Sequence, residues 1–185
     1  KVLADQILSQ TCRPGAIAVL SEAEMDTEEV EWFAKECGVA NVFNVTHYQN
    51  QMAGQIIAKS GCSFFAVFDF GSKYGPGYLH DYARATRLGA AKAFGKANSF
   101  IMAGVRITSS CQGLKDYTFT SSVPLASLMI SGEWLGSLNF NALMEPGAFF
   151  ETFEPAILST DRFNFITGGS GSINDYDLQS REIFI

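Results

Sequence analysis

Two carboxylates stand in apolar surroundings along this chain. Asp69 lies inside the aromatic stretch "SFFAVFDF", and Glu133 directly precedes Trp134 in "GEWLG". A carboxyl group desolvated among aromatic rings holds its proton more tightly, which moves it toward the pH range where acid–base catalysis works. The ordinary alternative for Asp69 is that it faces solvent or caps the following turn "GSKYG". Glu133 admits the same pair of readings. These two are the candidate catalytic residues. A thiol nucleophile would need Cys62 or Cys111 beside His80, against the commoner role of cysteine as a small buried core residue.

Other chemistries lack their spacing. The two histidines, His47 and His80, form neither HxH nor HExxH, so no metal is expected. Cys12, Cys37, Cys62 and Cys111 contain no CxxC pair; they allow two disulfides or four free thiols, and buried free thiols are the simpler reading. No GxSxG elbow is present for a serine nucleophile. The stretch "ITGGSGSINDY" carries Gly168, Gly169 and Gly171 around Ser170. A phosphate-binding P-loop needs a Lys after its glycines, and a dinucleotide fingerprint needs a third spaced Gly and a following helix. Neither is here, so no cofactor is expected. Gly168–Gly171 reads as a tight bend between two strands, where glycine accepts positive φ and close approach.

The bulk properties narrow the partners. The 185 residues are 47% hydrophobic and 17% charged, and they include 16 Phe. That suits one globular domain with an aromatic core or pocket, with room for a small appendage. A net charge of −6 argues against nucleic acid and anionic membranes as partners. No apolar run approaches the roughly 18–20 residues of a transmembrane helix. The start at Lys1 without Met reads either as removal of a targeting segment, in an organelle or after secretion, or as a sequence that begins after its true start. In a secreted chain, "NVT" at Asn44–Thr46 would be a glycosylation sequon.

The elements that must position these residues change character near residue 60. Residues 1–60 read as a helical or irregular extension. In "MDTEEVEWFAKECGV", Asp26 and Glu29 have the spacing of a capping box, Val30, Phe33, Ala34 and Cys37 share a face, and Gly38 suits a left-handed C-cap. "KVLADQILSQTC" reads as a second short helix, and "GAIAVL" as either a buried strand or helix. Residues 61–185 read as β. "SFFAVFDF", "SFIMAGVRIT", "DYTFTSSV", "WLGSLNFNAL", "RFNFIT" and "DLQSREIFI" have strand composition, and "GSKYGPGY" is a loop. "HDYARATRLGAAKAFGKA" stays open between helix and strand, and its basic groups "RATR" and "KAFGK" read as solvated. About six or seven short strands without intervening helices predict a mainly β domain, an antiparallel meander closing into a sandwich or barrel.

A strand ending in "ITGGSG" and followed by another strand resembles the closing motif of allene oxide cyclases and the related dirigent proteins. "GCSFFAVFDF", the segment through Arg87, Leu88 and Gly89, and "GEWLGSLNFNAL" extend the resemblance over roughly residues 62–185. It implies an antiparallel barrel of about eight strands that binds or steers a hydrophobic small molecule, cyclase- or isomerase-like. The families' catalytic carboxylate and water-holding residues have no counterpart that can be placed here, and residues 1–60 match nothing in them. The alternative is a non-catalytic structural or accessory subunit, docked into an assembly through its N-terminal extension. An open apolar cavity would favour the ligand; an interior plugged with Phe would favour the accessory role.

Overall fold

The computed structural model describes residues 2–21, 25–46, 54–55, 57, 59–69, 71–89, 91–103, 106–109, 114–138, 142 and 147–168. Within them the chain is mainly β, with thirteen short strands and three α-helices.

The N-terminal part is a βαβ unit with a preceding helix. Helix α1 (Val2–Leu8) leads to strand β1 (Ala16–Ser21), helix α2 (Thr27–Cys37) and strand β2 (Asn41–Thr46), and β1 pairs with β2 in parallel. Helix α2 begins and ends as its sequence predicts. The Asp26 carboxylate accepts from the Glu29 backbone N–H at 2.8 Å, the Glu29 carboxylate accepts from the Asp26 N–H at 3.1 Å, and Gly38 closes the helix at φ 64°. These contacts satisfy amide groups that a helix end leaves free. The expected helical or irregular extension thus also carries two paired strands. Its two-stranded sheet is covered on both faces: Ile17 and Val19 pack with Ala4, Ile7, Phe33 and Cys37, while Ala18 and Leu20 pack with Val123, Leu128 and Ile130. A strand with apolar neighbours on both faces is a continuous apolar run, which is why "GAIAVL" showed no two-residue period.

The remaining strands form three sheets. The largest has the order β3 (Phe64–Ala66), β10 (Met129–Ser131), β5 (Ala93–Gly95), β12 (Ile157–Ser159), β8 (Thr118–Thr120). A second has the order β4 (Ser72–Tyr74), β13 (Phe165–Gly168), β6 (Phe100–Ala103), β7 (Arg106–Ser109), and β9 (Ser122–Pro124) pairs with β11 (Phe149–Glu151). The pairings are not those of an antiparallel meander. β12 runs parallel to β5 and β13 runs parallel to β6, most neighbours are not consecutive, and among the described residues the five-stranded sheet has open edges at β3 and β8. The physical reason is burial on both faces. Ala93, Ile130 and Ile157 face the core shared with β1 and β2, whereas Phe94, Met129 and Leu158 face a second core built on helix α3 (Tyr78–Ala85). A sheet sandwiched between two layers needs covering elements, and α3 and the βαβ unit supply them.

Several expectations are corrected locally. The undecided segment is α3, a 3-10 turn at Thr86–Leu88 and then β5. "SFIMAGVRIT" is two strands, β6 and β7, and the predicted loop "GSKYGPGY" contains β4. "GEWLGSL" is no strand: Gly132–Ser137 is a 3-10 helix, and its buried Leu135 and Leu138 follow the three-residue repeat of that helix. Strand β3 ends at Ala66, so Asp69 lies beyond the strand, in the connection to β4. Gly168 ends β13; the rest of the glycine stretch, the expected closing strand "DLQSREIFI", His47 and Cys111 lie outside the described residues.

Candidate functional site

β1 and β3 are edge strands of two different sheets, and an apolar cavity of about 720 Å³ opens between them. One wall is Ala16–Leu20 of β1 with Ile7 and Phe33 behind it. The facing wall is Phe64–Phe68, and Leu125, Met129, Ile130 and Leu135 complete the enclosure. The polar groups on this lining are few: Arg13 and the thiols of Cys12 and Cys62, the Ser72, Thr86 and Thr167 hydroxyls, and one carboxylate, Asp69.

Asp69 is held through its backbone. Its N–H donates to the Tyr74 hydroxyl at 2.8 Å, and that hydroxyl donates to the Ala126 carbonyl at 3.0 Å. The connection is further fixed from the N-terminal unit, because the Gln6 side chain accepts from the Tyr74 N–H at 2.8 Å. The Asp69 side chain has no such anchor. Its Oδ1 is shielded from water and has no hydrogen-bond partner among the described residues. An unpartnered buried acceptor is costly, so the site favours anything that supplies a donor.

Behind this wall stands a ladder of tyrosines. Tyr74 and Tyr78 meet edge to face at 4.8 Å between ring centroids, and Tyr78 and Tyr82 at 4.9 Å. The Tyr82 hydroxyl donates to the Ser127 carbonyl. Burial pushes all three phenols well above the usual tyrosine range, and the negative charge of Asp69 adds to that for Tyr74 and Tyr78. They are therefore neutral hydrogen-bond donors, not bases.

The other sequence candidates are placed elsewhere. Glu133 lines a smaller recess with Lys92, and its carboxylate meets the Lys92 ammonium at 2.6 Å. Both side chains are largely exposed, so Glu133 is a solvated partner in a surface ion pair and not a desolvated acid. Cys62 lies on the large cavity, whereas His80 is exposed on α3. Cys12, Cys37 and Cys62 are free thiols. The Asn44 sequon side chain is engaged inside the fold: its oxygen accepts from the Met25 N–H at 3.2 Å and its amide donates to the Val19 carbonyl at 3.4 Å. No group of three or more His, Cys, Asp or Glu among the described residues has the arrangement of a metal site, and no described helix is long and apolar enough to cross a membrane.

Sequence reasoning missed two features. The β1 wall was hidden in an ambiguous apolar run. The second is Lys96, read as part of a solvated basic group, whose side chain has 0% of its surface exposed. Its ammonium lies 3.1 Å from Asp81 Oδ2, 3.3 Å from Asp161 Oδ1 and 3.0 Å from the Asp161 carbonyl, over the faces of Tyr78 and Tyr82. Asn164 also donates to Asp81, at 3.0 Å. The carboxylates that make burial of this lysine tolerable are distant in sequence, so nothing local announces them.

No family model matches the chain, and no curated protein matches it.

Proposed function

We propose that the chain binds an apolar small molecule in the cavity between β1 and β3. The observation that carries this reading is the cavity itself. Its volume of about 720 Å³ falls within the range of roughly 300–1,000 Å³ found for small-molecule sites. Its walls are mostly aliphatic and aromatic, with few polar groups to fix orientation. The resemblance to allene oxide cyclases and dirigent proteins extends the reading to cyclase- or isomerase-like steering. In that extension the walls hold a reactive hydrophobic molecule in one productive shape, and confinement and orientation supply most of the rate. The closed barrel of those families belongs to the extension; the binding reading stands on the cavity alone.

Titration with 1-methylnaphthalene, followed by its fluorescence and by calorimetry, tests the proposal. Saturable one-to-one binding is expected. Ala18→Phe, which places a ring into the cavity from the β1 wall, should weaken it at least tenfold while the protein still melts cooperatively. Failure of the wild type to saturate, or equal binding by the filled variant, would sink the reading.

A second reading, the non-catalytic accessory subunit, is favoured by a different observation. Phe119 and Phe149 are half exposed and Phe153 fully so, on β8, β11 and the turn after it. Exposed aromatics are enriched at protein interfaces. The N-terminal unit is itself engaged with the β region, since its Gln10 and Thr11 bond to the Gly75 and Pro76 carbonyls.

A further inference from the structure

The cavity carries information about the head group of its ligand, and this inference rests on the binding reading above. Among the described residues, Asp69 is the one carboxylate on the lining. Its Oδ1 lacks a hydrogen-bond donor among the described residues. The ion pairs among those residues join Lys92 to Glu133, Lys96 to Asp81 and Asp161, and Arg162 to Asp116; none engages Asp69. The hydroxyl nearest to it in the bonding pattern, on Tyr74, is already committed as a donor to Ala126. Arg13, the cation on the same lining, lies on an exposed stretch before β1. The wall thus presents a carboxylate in apolar surroundings with no ion-pair partner among the described residues.

We propose that the cavity selects apolar molecules carrying a single protonated amine, and that Asp69 is the residue that determines this selectivity. An ammonium satisfies two deficits at once. It donates the hydrogen bond that Oδ1 lacks and balances a charge that low-polarity surroundings make expensive to leave unpaired. A neutral hydroxyl answers only the first, and a carboxylate is repelled. The chain's net charge of −6 also draws cations toward it in preference to anions. The Asp69 hydrogen bond to Tyr74 runs through the backbone, so turning the carboxylate toward the cavity breaks no hydrogen bond among the described residues.

A matched fluorescent series tests this: 1-methylnaphthalene, 1-naphthalenemethanol, 1-naphthoate and 1-naphthylmethylamine, titrated into the full chain at neutral pH. The amine should bind at least tenfold tighter than 1-methylnaphthalene, with the alcohol between them and the anion weakest. In Asp69→Asn the ratio of amine to methylnaphthalene affinity should fall to near one. Equal affinity of amine and methylnaphthalene for the wild type overturns the selectivity and leaves the cavity reading standing. An alcohol as tight as the amine overturns the requirement for charge. Binding of no member of the series overturns the cavity reading itself. The wild-type comparison decides the matter even if Asp69→Asn fails to fold.

Discussion

The Lys96 ammonium sits 3.1 Å from the Asp81 carboxylate, with no lysine surface exposed and 15% of the aspartate's. That pair ties the residue after β5 to helix α3, and Asp161 ties the same lysine to the segment joining β12 to β13. Lys96→Met keeps much of the volume and removes the charge, leaving two carboxylates facing each other across a buried gap. The expected loss is about 3 kcal/mol, because removing one member of a buried pair strands the other. A denaturant melt with stability within 0.5 kcal/mol of wild type (roughly the scatter of surface substitutions) would refute this role for the lysine.

Alkaline pH should unfold the protein in a single cooperative step. Tyr74, Tyr78 and Tyr82 are held neutral chiefly by burial, so their folded-state ionisation lies above that of the unfolded chain. Below about pH 10 both states keep the proton and the tyrosines contribute fully to stability. Above it only the unfolded state releases protons, so three such groups lower stability by roughly 4 kcal/mol per pH unit. Tyrosinate absorbance from three of the six tyrosines should therefore rise together with loss of circular dichroism. Gradual ionisation of all six in a protein that stays folded would contradict it.

Gly95 is required by its neighbour. A Cβ built there would lie 2.6 Å from the Val123 side chain, which is itself fully buried. Gly95→Ala should cost about 2 kcal/mol by overpacking. Adding Val123→Ala should recover a good part of that, and a double variant no more stable than Gly95→Ala alone would show that the clash is not the cause.

The cap of α2 should behave as an independent local contribution. Asp26→Ala removes the acceptor for the Glu29 amide and should lower stability by about 1 kcal/mol, with Asp26→Asn nearly neutral. Equal losses for the two substitutions, measured by thermal melts, would mean that the side chain acts through charge and not through the cap.

These particulars also show what the sequence could convey. Helix α2 was legible to its ends because Asp26, Glu29 and Gly38 act within one turn of the residues they serve. The β character of residues 64–168 was legible from composition, but its pairing was not. Ala93 and Phe94 face different cores, so strands buried on both sides lose the alternation that marks an inside and an outside. Leu135 and Leu138 are buried three residues apart by a 3-10 turn where the composition of "WLGSLNFNAL" suggested a strand. Asp69 stood out as a carboxylate among aromatics. One wall of the cavity around it comes from β1, in a segment that gave no sign of facing it. Lys96 was misread because a lysine's burial is decided by acids that arrive from 15 and 65 positions away.

The parallel pairings set an order of events during synthesis. Ala93 finds its parallel neighbour only when Ile157 exists, and Phe100 its parallel neighbour only when Ile166 does. Until then β5 exposes one edge to the cell, and β4 is separated from the β6–β7 hairpin because β13 is the strand that joins them. A nascent chain halted before Ile157 therefore carries two unsealed templates for pairing with other chains. Such high contact order also makes refolding slow for the molecule's size. Production of this protein should depend on holdase chaperones acting until the last described strand leaves the ribosome, and chains truncated before β12 should be recovered as aggregates while the full chain is not.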